Sequence, residues 1–170
     1  MEVFSNNILL TNLIKIRWIA IFGQLFAIII AFLYFDLNIQ VLPCIYIVFF
    51  SVVVNIYSYA KNKTNNYLSD KEAFYFLLFD TIQLGFLLYL TGGIYNPFSL
   101  LLIAPLIISA SYLPIFYSIC LLILSIFIVI VISNFYVPIY WKEIFNVPYL
   151  FKYGLSLSLV LTLIFLFIYV

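Results

Sequence analysis

Residues 90–98 have the sequence Leu-Thr-Gly-Gly-Ile-Tyr-Asn-Pro-Phe and form a polar break between two long hydrophobic runs. Two of the five glycines of the chain, Gly92 and Gly93, stand side by side here. Glycine adopts backbone angles that other residues avoid, and Asn-Pro favours a turn followed by the start of a helix. The stretch therefore predicts a shaped corner between two helices, and it is the first place to look for function.

The composition is that of an integral membrane protein. Hydrophobic residues make up 68% of the 170 positions and charged residues 8%, whereas about a quarter of residues are charged in soluble domains. With a net charge of +1, the chain has no strong field to attract nucleic acid. It has no histidine, so it lacks the phosphoacceptor of a histidine kinase and the imidazole ligands that haem and metal sites commonly use. Cys44 and Cys120 lie far apart in hydrophobic segments and are expected to pack as apolar residues.

Six hydrophobic segments approach the length of about 20 apolar residues that a membrane-spanning helix needs. The fourth and fifth are divided only at Leu113-Pro114, because a residue before proline avoids helical angles. One long kinked helix, and hence five spans, is the alternative. The prediction is an all-α bundle of six transmembrane helices in a single membrane domain over residues 1–170, with spans at 16–35, 41–59, 72–90, 97–112, 114–136 and 149–170.

The orientation follows from the positive charges, because cytoplasmic loops are enriched in lysine and arginine. Five basic residues precede the first span or lie between the second and third: Lys15, Arg17, Lys61, Lys63 and Lys71. With six spans these five lie on one side of the membrane, and only Lys142 and Lys152 lie on the other. Both termini are therefore predicted to be cytoplasmic, in a bacterial inner membrane, with the corner at 90–98 on the outer side. Four aromatic residues suit an interfacial belt there: Tyr136, Tyr140, Trp141 and Tyr149. Because the chain ends at Val170 within hydrophobic sequence, we expect further sequence on the cytoplasmic side.

Asp80 lies near the middle of the third predicted span, and Gln83 follows one turn later on the same face. An ionisable group at the centre of a membrane costs about 2.5–3.5 kcal/mol on insertion scales, so such a residue is a functional candidate. Two interpretations remain open. Asp80 either fixes the packing of neighbouring helices or belongs to a ligand or proton site.

Other polar residues of the spans are expected to hold helices together. Gln24, Asn55 and Asn134 are predicted to be buried amides, and Gly23 is expected to allow close helix approach beside Gln24. Arg17 and Trp18 stand where the first span enters the membrane. A positive anchor with an aromatic belt residue accounts for both of them.

The corner has a structural interpretation and a ligand-binding one. A glycine can end the third helix in the left-handed cap position, Asn96 can cap the fourth helix, and Pro97 can be its first residue. The amides at the start of that helix carry positive partial charge, and Tyr95 and Phe98 can supply an aromatic wall. A quinone head group, with carbonyls on a flat ring and an apolar tail in lipid, fits such a site. A rigid hairpin without a ligand fits equally well.

The motif Gly92-Gly93-Ile94-Tyr95-Asn96-Pro97-Phe98, hereafter the heptapeptide, resembles the Gly-Gly-x-x-Asn-Pro-Phe hallmark of the RegB/PrrB family of redox-responsive sensor histidine kinases. The chain as a whole resembles the transmembrane sensor region of that family. The similarity extends along nearly the whole chain through Arg17-Trp18, Gly23-Gln24, Phe79-Asp80, Gln83-Leu84, Leu88-Tyr89-Leu90-Thr91, Ala104-Pro105, Ile108-Ser109-Ala110 and Leu113-Pro114.

This resemblance implies six spans ahead of a cytoplasmic kinase core, and sensing of the ubiquinone pool without haem or metal. It also implies a parent protein that is a homodimeric histidine kinase with a response regulator as partner, whereas this chain alone is not an enzyme. With the aromatic wall included, the candidate quinone-binding residues are Gly92, Gly93, Tyr95, Asn96, Pro97 and Phe98. Second-tier candidates are Arg17, Trp18, Gln24, Asp80 and Gln83.

Three other classes compete with a sensor. A small transporter or channel would need paired intramembrane charges and internal repeats, and Asp80 is expected to be the only central charge. A membrane-embedded enzyme would need a cluster of histidine, aspartate or glutamate at the interface, which the sequence does not predict. A structural or assembly bundle is compatible with everything except the heptapeptide. A reading frame that continues past Val170 into a kinase core would favour the sensor.

Overall fold

The computed structural model describes residues 10–61, 68–139 and 147–169, and every regular element in these ranges is a helix. The all-α prediction is therefore confirmed for the described residues. Two 3-10 elements, Gly93–Tyr95 and Pro97–Leu102, precede α4. The α-helices are α1 (Leu10–Leu33), α2 (Val41–Lys61), α3 (Asp70–Leu90), α4 (Ile103–Tyr112), α5 (Ile115–Asn134) and α6 (Val147–Tyr169).

Four segments of the described ranges are helical, long and apolar enough to cross a membrane: Leu13–Leu33, Val41–Ala60, Asp70–Leu90 and Ile115–Asn134. Pro97–Tyr112 is a shorter apolar helical segment. Most helix ends lie within two residues of the ends of the predicted spans, including both ends of the 23-residue α6. Helix α1 differs, because it begins at Leu10, six residues before the predicted start. Lys63, Tyr140, Trp141, Lys142, Val170 and the side chain of Tyr149 lie outside the description.

The predicted break between two helices at Leu113-Pro114 is confirmed. Leu113 has φ −105° and ψ 153°, an extended conformation, so the backbone leaves α4 before Pro114 and α5 starts at Ile115. The residue before a proline avoids helical angles for steric reasons, which accounts for this break. One continuous kinked helix over these residues is therefore excluded.

Helix α3 is the central element of the bundle. Its apolar window is 44% buried, against 22% for the windows of α1 and α5. It begins in a reciprocal capping box, in which Ser69 Oγ accepts from the Glu72 amide and Glu72 Oε2 accepts from the Ser69 amide at 3.1 Å. Leu77 and Leu87 of α3 enter two separate buried clusters, one shared with α1, α4 and α5 and the other with α1 and α2. Helices α1, α2, α4 and α5 therefore share buried clusters with α3.

The buried polar residues contribute to helix packing, but not all as expected. Asn55 is fully buried and donates from Nδ2 to the Ile14 carbonyl at 3.3 Å, which ties α2 to α1 and confirms its predicted role. Asn134 is exposed and donates to Ile130 O of its own helix, so the prediction of a buried amide there is wrong. Cys44 is buried and Cys120 half-buried, both as free thiols, which fits packing.

The glycine that allows close helix approach is Gly85, and the expectation for Gly23 is wrong. A methyl group placed on Gly23 would meet nothing within 4 Å, because this position faces outward. A methyl group on Gly85 would lie 2.9 Å from Cγ2 of Ile128, which is closer than side-chain carbons pack. The contact between α3 and α5 therefore depends on a glycine at position 85.

We expect Gly85→Leu to lower the free energy of unfolding of the detergent-solubilised domain by about 1–3 kcal/mol, because the added side chain overpacks the contact between α3 and α5. Gly23→Leu is the matched control, since it adds the same side chain at an open helical position. Unfolding midpoints measured by circular dichroism check this. Equal midpoints for the two variants would contradict the assigned packing.

Candidate functional site

Two glycines shape the corner at the end of α3. Thr91 caps the helix, and Gly92 and Gly93 follow with φ angles of 95° and 61°, in the left-handed region that favours glycine. A side chain at Gly93 would clash with the Ile132 carbonyl oxygen and with Cβ of Tyr136. The predicted glycine cap is therefore confirmed, and the corner is packed directly against the end of α5.

Asn96 joins the two sides of the corner through its side chain. Its Oδ1 accepts from the Phe98 amide at 2.9 Å, and its Nδ2 donates to the Thr91 hydroxyl at 2.7 Å and the Thr91 carbonyl at 3.1 Å. The predicted N-cap at Asn96 and the helix start at Pro97 are confirmed. The element that follows differs from the expected α-helix, because Pro97–Leu102 is a 3-10 helix that leads into α4. We refer to Pro97–Leu102 as the 3-10 segment.

The aromatic residues of the heptapeptide have different surroundings. Tyr95 is 69% exposed, and its ring meets that of Tyr136 edge-on at 5.7 Å between centroids. Phe98 is half-buried and packs with a cluster formed by Leu88, Leu102 and Ile132. Phe98 thus anchors the 3-10 segment to α3 and α5, and Tyr95 is the more accessible ring.

A buried ion pair connects α1 to α3. Arg17 Nε donates to Asp80 Oδ1 at 2.9 Å, and Nη2 lies 2.9 Å from the same oxygen in ion-pair contact without hydrogen-bond geometry. The side chain of Arg17 is 6% exposed and that of Asp80 is 27% exposed. The guanidinium carbon lies 5.3 and 5.2 Å from the ring centroids of Phe76 and Phe79, within the range of cation–π attraction. Interpreting Arg17 as an interfacial anchor is therefore wrong, because it is buried and paired.

A second polar bridge lies deeper along the same helices. Gln83 Nε2 donates to Gln24 Oε1 at 3.0 Å, and Gln24 Nε2 donates back to Gln83 Oε1 at 3.4 Å. Trp18, the remaining second-tier candidate, is half-buried, stacks on Phe22 at 5.8 Å and packs against the two main core clusters. Four of the five second-tier candidates thus form one polar group between α1 and α3.

This polar group borders a cavity of about 100 Å³. One part of its wall comes from the 3-10 segment and α4, through Leu101, Ala104, Pro105 and Ile108, none of which sequence reasoning assigned to a site. No heptapeptide residue lines it. The other lining residues come from α1, α2 and α3: Leu13, Ile16, Arg17, Ala20, Ile21, Gln24, Ser51, Leu77, Asp80, Gln83 and Leu84. The structure therefore separates the candidates into the corner and an interior polar cavity.

The chain is 35% identical over 162 residues to the sensor histidine kinase RegB of Cereibacter sphaeroides, a match that covers 94% of the chain. This match identifies the chain as a RegB-family sensor region. The chain spans about a third of that relative's length, 35%. No protein-family model matches the chain, and no solved structure does so.

In this RegB-family sensor region, the heptapeptide also contacts α6. A methyl group added to Gly154 would lie 2.6 Å from Cγ of Pro97, so the backbone of α6 approaches the first residue of the 3-10 segment closely. The 3-10 segment and α4 are the main elements against which α6 packs. The Val137 amide also donates to the Tyr89 carbonyl at 2.8 Å, which fixes the residues after α5 to the end of α3. The corner therefore contacts three helices at once.

The ion pair gives a clear expectation for stability. Arg17→Met should lower the free energy of unfolding by about 3–5 kcal/mol, because it leaves the Asp80 carboxylate without its partner. The double variant Arg17→Met/Asp80→Leu should recover most of that loss, since an apolar pair needs no charge compensation.

Detergent-solubilised wild type, both single variants and the double variant should be compared by SDS titration followed by circular dichroism. The matched control is Asn134→Leu, which removes a polar group at an exposed position. Additive losses in the double variant would show that Arg17 and Asp80 do not act as a pair.

Proposed function

We propose that the chain is the membrane sensor domain of a two-component, redox-responsive histidine kinase that senses the ubiquinone pool. The observation that carries the proposal is the match to RegB over 94% of the chain. The complete heptapeptide in this sequence supports it. The geometry of the corner supports it, because Gly92, Gly93 and Asn96 each have a defined conformational role there. The parent protein would be the kinase, acting as a homodimer on a cognate response regulator.

The proposed topology is six spans in the bacterial inner membrane, with both termini in the cytoplasm. The four apolar helices, the segment Pro97–Tyr112 and α6 supply the six elements. The excess of lysine and arginine before α1 and between α2 and α3 supports the orientation. The heptapeptide would then lie at the outer face, and α6 would lead back to the cytoplasm.

The proposed mechanism is a shift between two packings of the bundle. Oxidised and reduced quinone would bind with different affinity and so bias the two packings to different degrees. A ligand can shift a conformational equilibrium only by the difference between its affinities for the two states of the protein. A coupling of about 1–3 kcal/mol is typical and is enough to change kinase output several-fold. The close contact between Pro97 and Gly154 supports α6 as the element that transmits the change.

A transporter or channel gains one argument from the structure. Asp80 is not an isolated charge, because Arg17 pairs with it, and paired intramembrane charges are a feature of transport proteins. The pair is net neutral, and α1 and α3 hold it through a direct contact of 2.9 Å, which also serves packing. Since the relative is a sensor histidine kinase, the sensor is the better supported function.

Binding of a short-chain ubiquinone to the detergent-solubilised domain tests the proposal. We expect saturable binding to the wild type and at least tenfold weaker binding to Asn96→Ala, because this variant loses the hydrogen bonds that fix the 3-10 segment. Asn134→Ala is the matched control, since Asn134 is exposed and donates a hydrogen bond within its own helix. Equal, unsaturable partitioning into all three proteins would reject the proposal.

Transmission through α6 can be tested in the parent kinase. The autophosphorylation rates with oxidised and with reduced ubiquinone should differ by a factor that is at least threefold smaller in Gly154→Leu than in wild type. The reason is that the new side chain forces α6 away from Pro97. Gly23→Leu should leave the ratio unchanged, since position 23 is open. An unchanged ratio in a stably folded Gly154→Leu kinase would exclude this route.

A further inference from the structure

We propose that the interior cavity beside Arg17, rather than the heptapeptide itself, holds the carbonyl-bearing head of the sensed ligand. This inference rests on the proposed function and adds a location and a hydrogen-bond donor to it. The heptapeptide would act as a positioning element that sets one wall of the cavity.

Arg17 has hydrogen-bonding capacity that the described residues do not use. Nη1 is buried without a hydrogen-bond partner among them, and Nη2 meets Asp80 Oδ1 only in ion-pair contact, although the whole residue is only 5% exposed. An arginine carries five N–H donors in a fixed plane, and Asp80 Oδ1 takes the one on Nε. A buried donor left without an acceptor is unfavourable, and more so when it is charged. The site therefore favours a group that brings acceptors to Arg17.

The charges around the cavity favour a neutral group. Asp80 neutralises Arg17 at 2.9 Å, so the pair does not attract an anion, and the carboxylate would repel one. The nearby Gln24–Gln83 bridge adds neutral donors and acceptors to the same wall. A neutral carbonyl oxygen is the acceptor that matches this set. The other lining side chains are nearly all apolar, which suits the flat ring that bears such carbonyls.

The 3-10 segment connects the heptapeptide to the cavity. Asp80 lies ten residues before Leu90 in α3, or about 15 Å along the helix axis, so the ion pair and the corner are separate places. The 3-10 segment has six residues and a rise of about 2 Å per residue, which covers about 12 Å of that distance. It starts at the cap of Asn96 and ends at the cavity wall, where Leu101 and Ala104 lie.

The backbone of this wall is held by weak hydrogen bonds. Runs of 3-10 helix longer than three or four residues are uncommon, because their hydrogen bonds are poorly aligned, and this run has six residues. Pro105, the third residue of α4, has no amide hydrogen, so it makes no backbone hydrogen bond back to the 3-10 segment. The cavity of about 100 Å³ is smaller than the roughly 150 Å³ cavity that takes up benzene, so a substituted ring needs this wall to shift outward. Ligand entry would thereby move the segment that contacts α6.

The test uses a ubiquinone with one isoprene unit and the full chain in detergent. Ala104→Leu fills the cavity without changing any charge, and Ala110→Leu makes the same change at an exposed position of the same helix. Arg17→Lys keeps a positive charge for Asp80 but removes the planar Nη donors. We expect at least tenfold weaker binding for Ala104→Leu and Arg17→Lys, and binding within twofold of wild type for Ala110→Leu.

The outcomes separate this inference from the proposed function. If the wild type binds saturably and the affinity of Ala104→Leu is within twofold of it, the interior site is overturned while the sensor function stands. If only Asn96→Ala loses affinity, the ligand is assigned to the corner. No saturable binding to the wild type would overturn both. Thermal unfolding checks that each variant is folded. If Ala104→Leu does not fold, the affinity of Arg17→Lys tests the interior site instead, and an affinity within twofold of wild type overturns the inference.

Discussion

The arrangement of the bundle depends on the burial of Arg17 against Asp80. Two charges that lie away from water must compensate each other, so α1 and α3 are held at the separation and rotation that place Arg17 2.9 Å from Asp80. Apolar side chains slide past one another at little cost in lipid, whereas a charge pair has one good geometry. The pair therefore specifies the packing more than it stabilises it, since well-packed apolar residues often replace a buried pair without loss of stability. The glutamine bridge repeats the constraint further along the same two helices.

The second constraint lies at the corner, and it links elements that the ion pair does not reach. Gly93 lets the chain turn against the end of α5, and Asn96 fixes the start of the 3-10 segment to Thr91. Pro97 in turn contacts α6 through Gly154. The heptapeptide therefore determines where the 3-10 segment and α4 lie, and these elements close the side of the cavity that faces the ion pair. The heptapeptide can control the width of the cavity in this way, although none of its residues lines the cavity.

Sequence reasoning succeeded where local chemistry decides the structure. Helix lengths, the break at Pro114, the left-handed glycines and the Asn96 cap depend on residues that are neighbours in the chain. It failed where the decisive partner is distant. Arg17 and Asp80 are 63 positions apart, so their pairing leaves no local signal, and the sequence around Arg17 predicts only an interfacial anchor. The neighbouring Gln24 favours Gly23 as a position of close packing, whereas the close approach of α3 to α5 occurs at Gly85.

A sensor differs from a merely stable bundle in needing two packings of similar free energy. A bundle whose buried polar groups were all satisfied and whose core was filled would have one deep minimum, and no ligand of modest affinity could shift it. Here Arg17 Nη1, which has no hydrogen-bond partner among the described residues, and the small cavity beside it make this packing less favourable than a fully satisfied one. In the proposed mechanism, a ligand that supplies an acceptor would remove that cost only in the packing that admits it. The imperfection of the core would then supply the differential affinity on which signalling would depend.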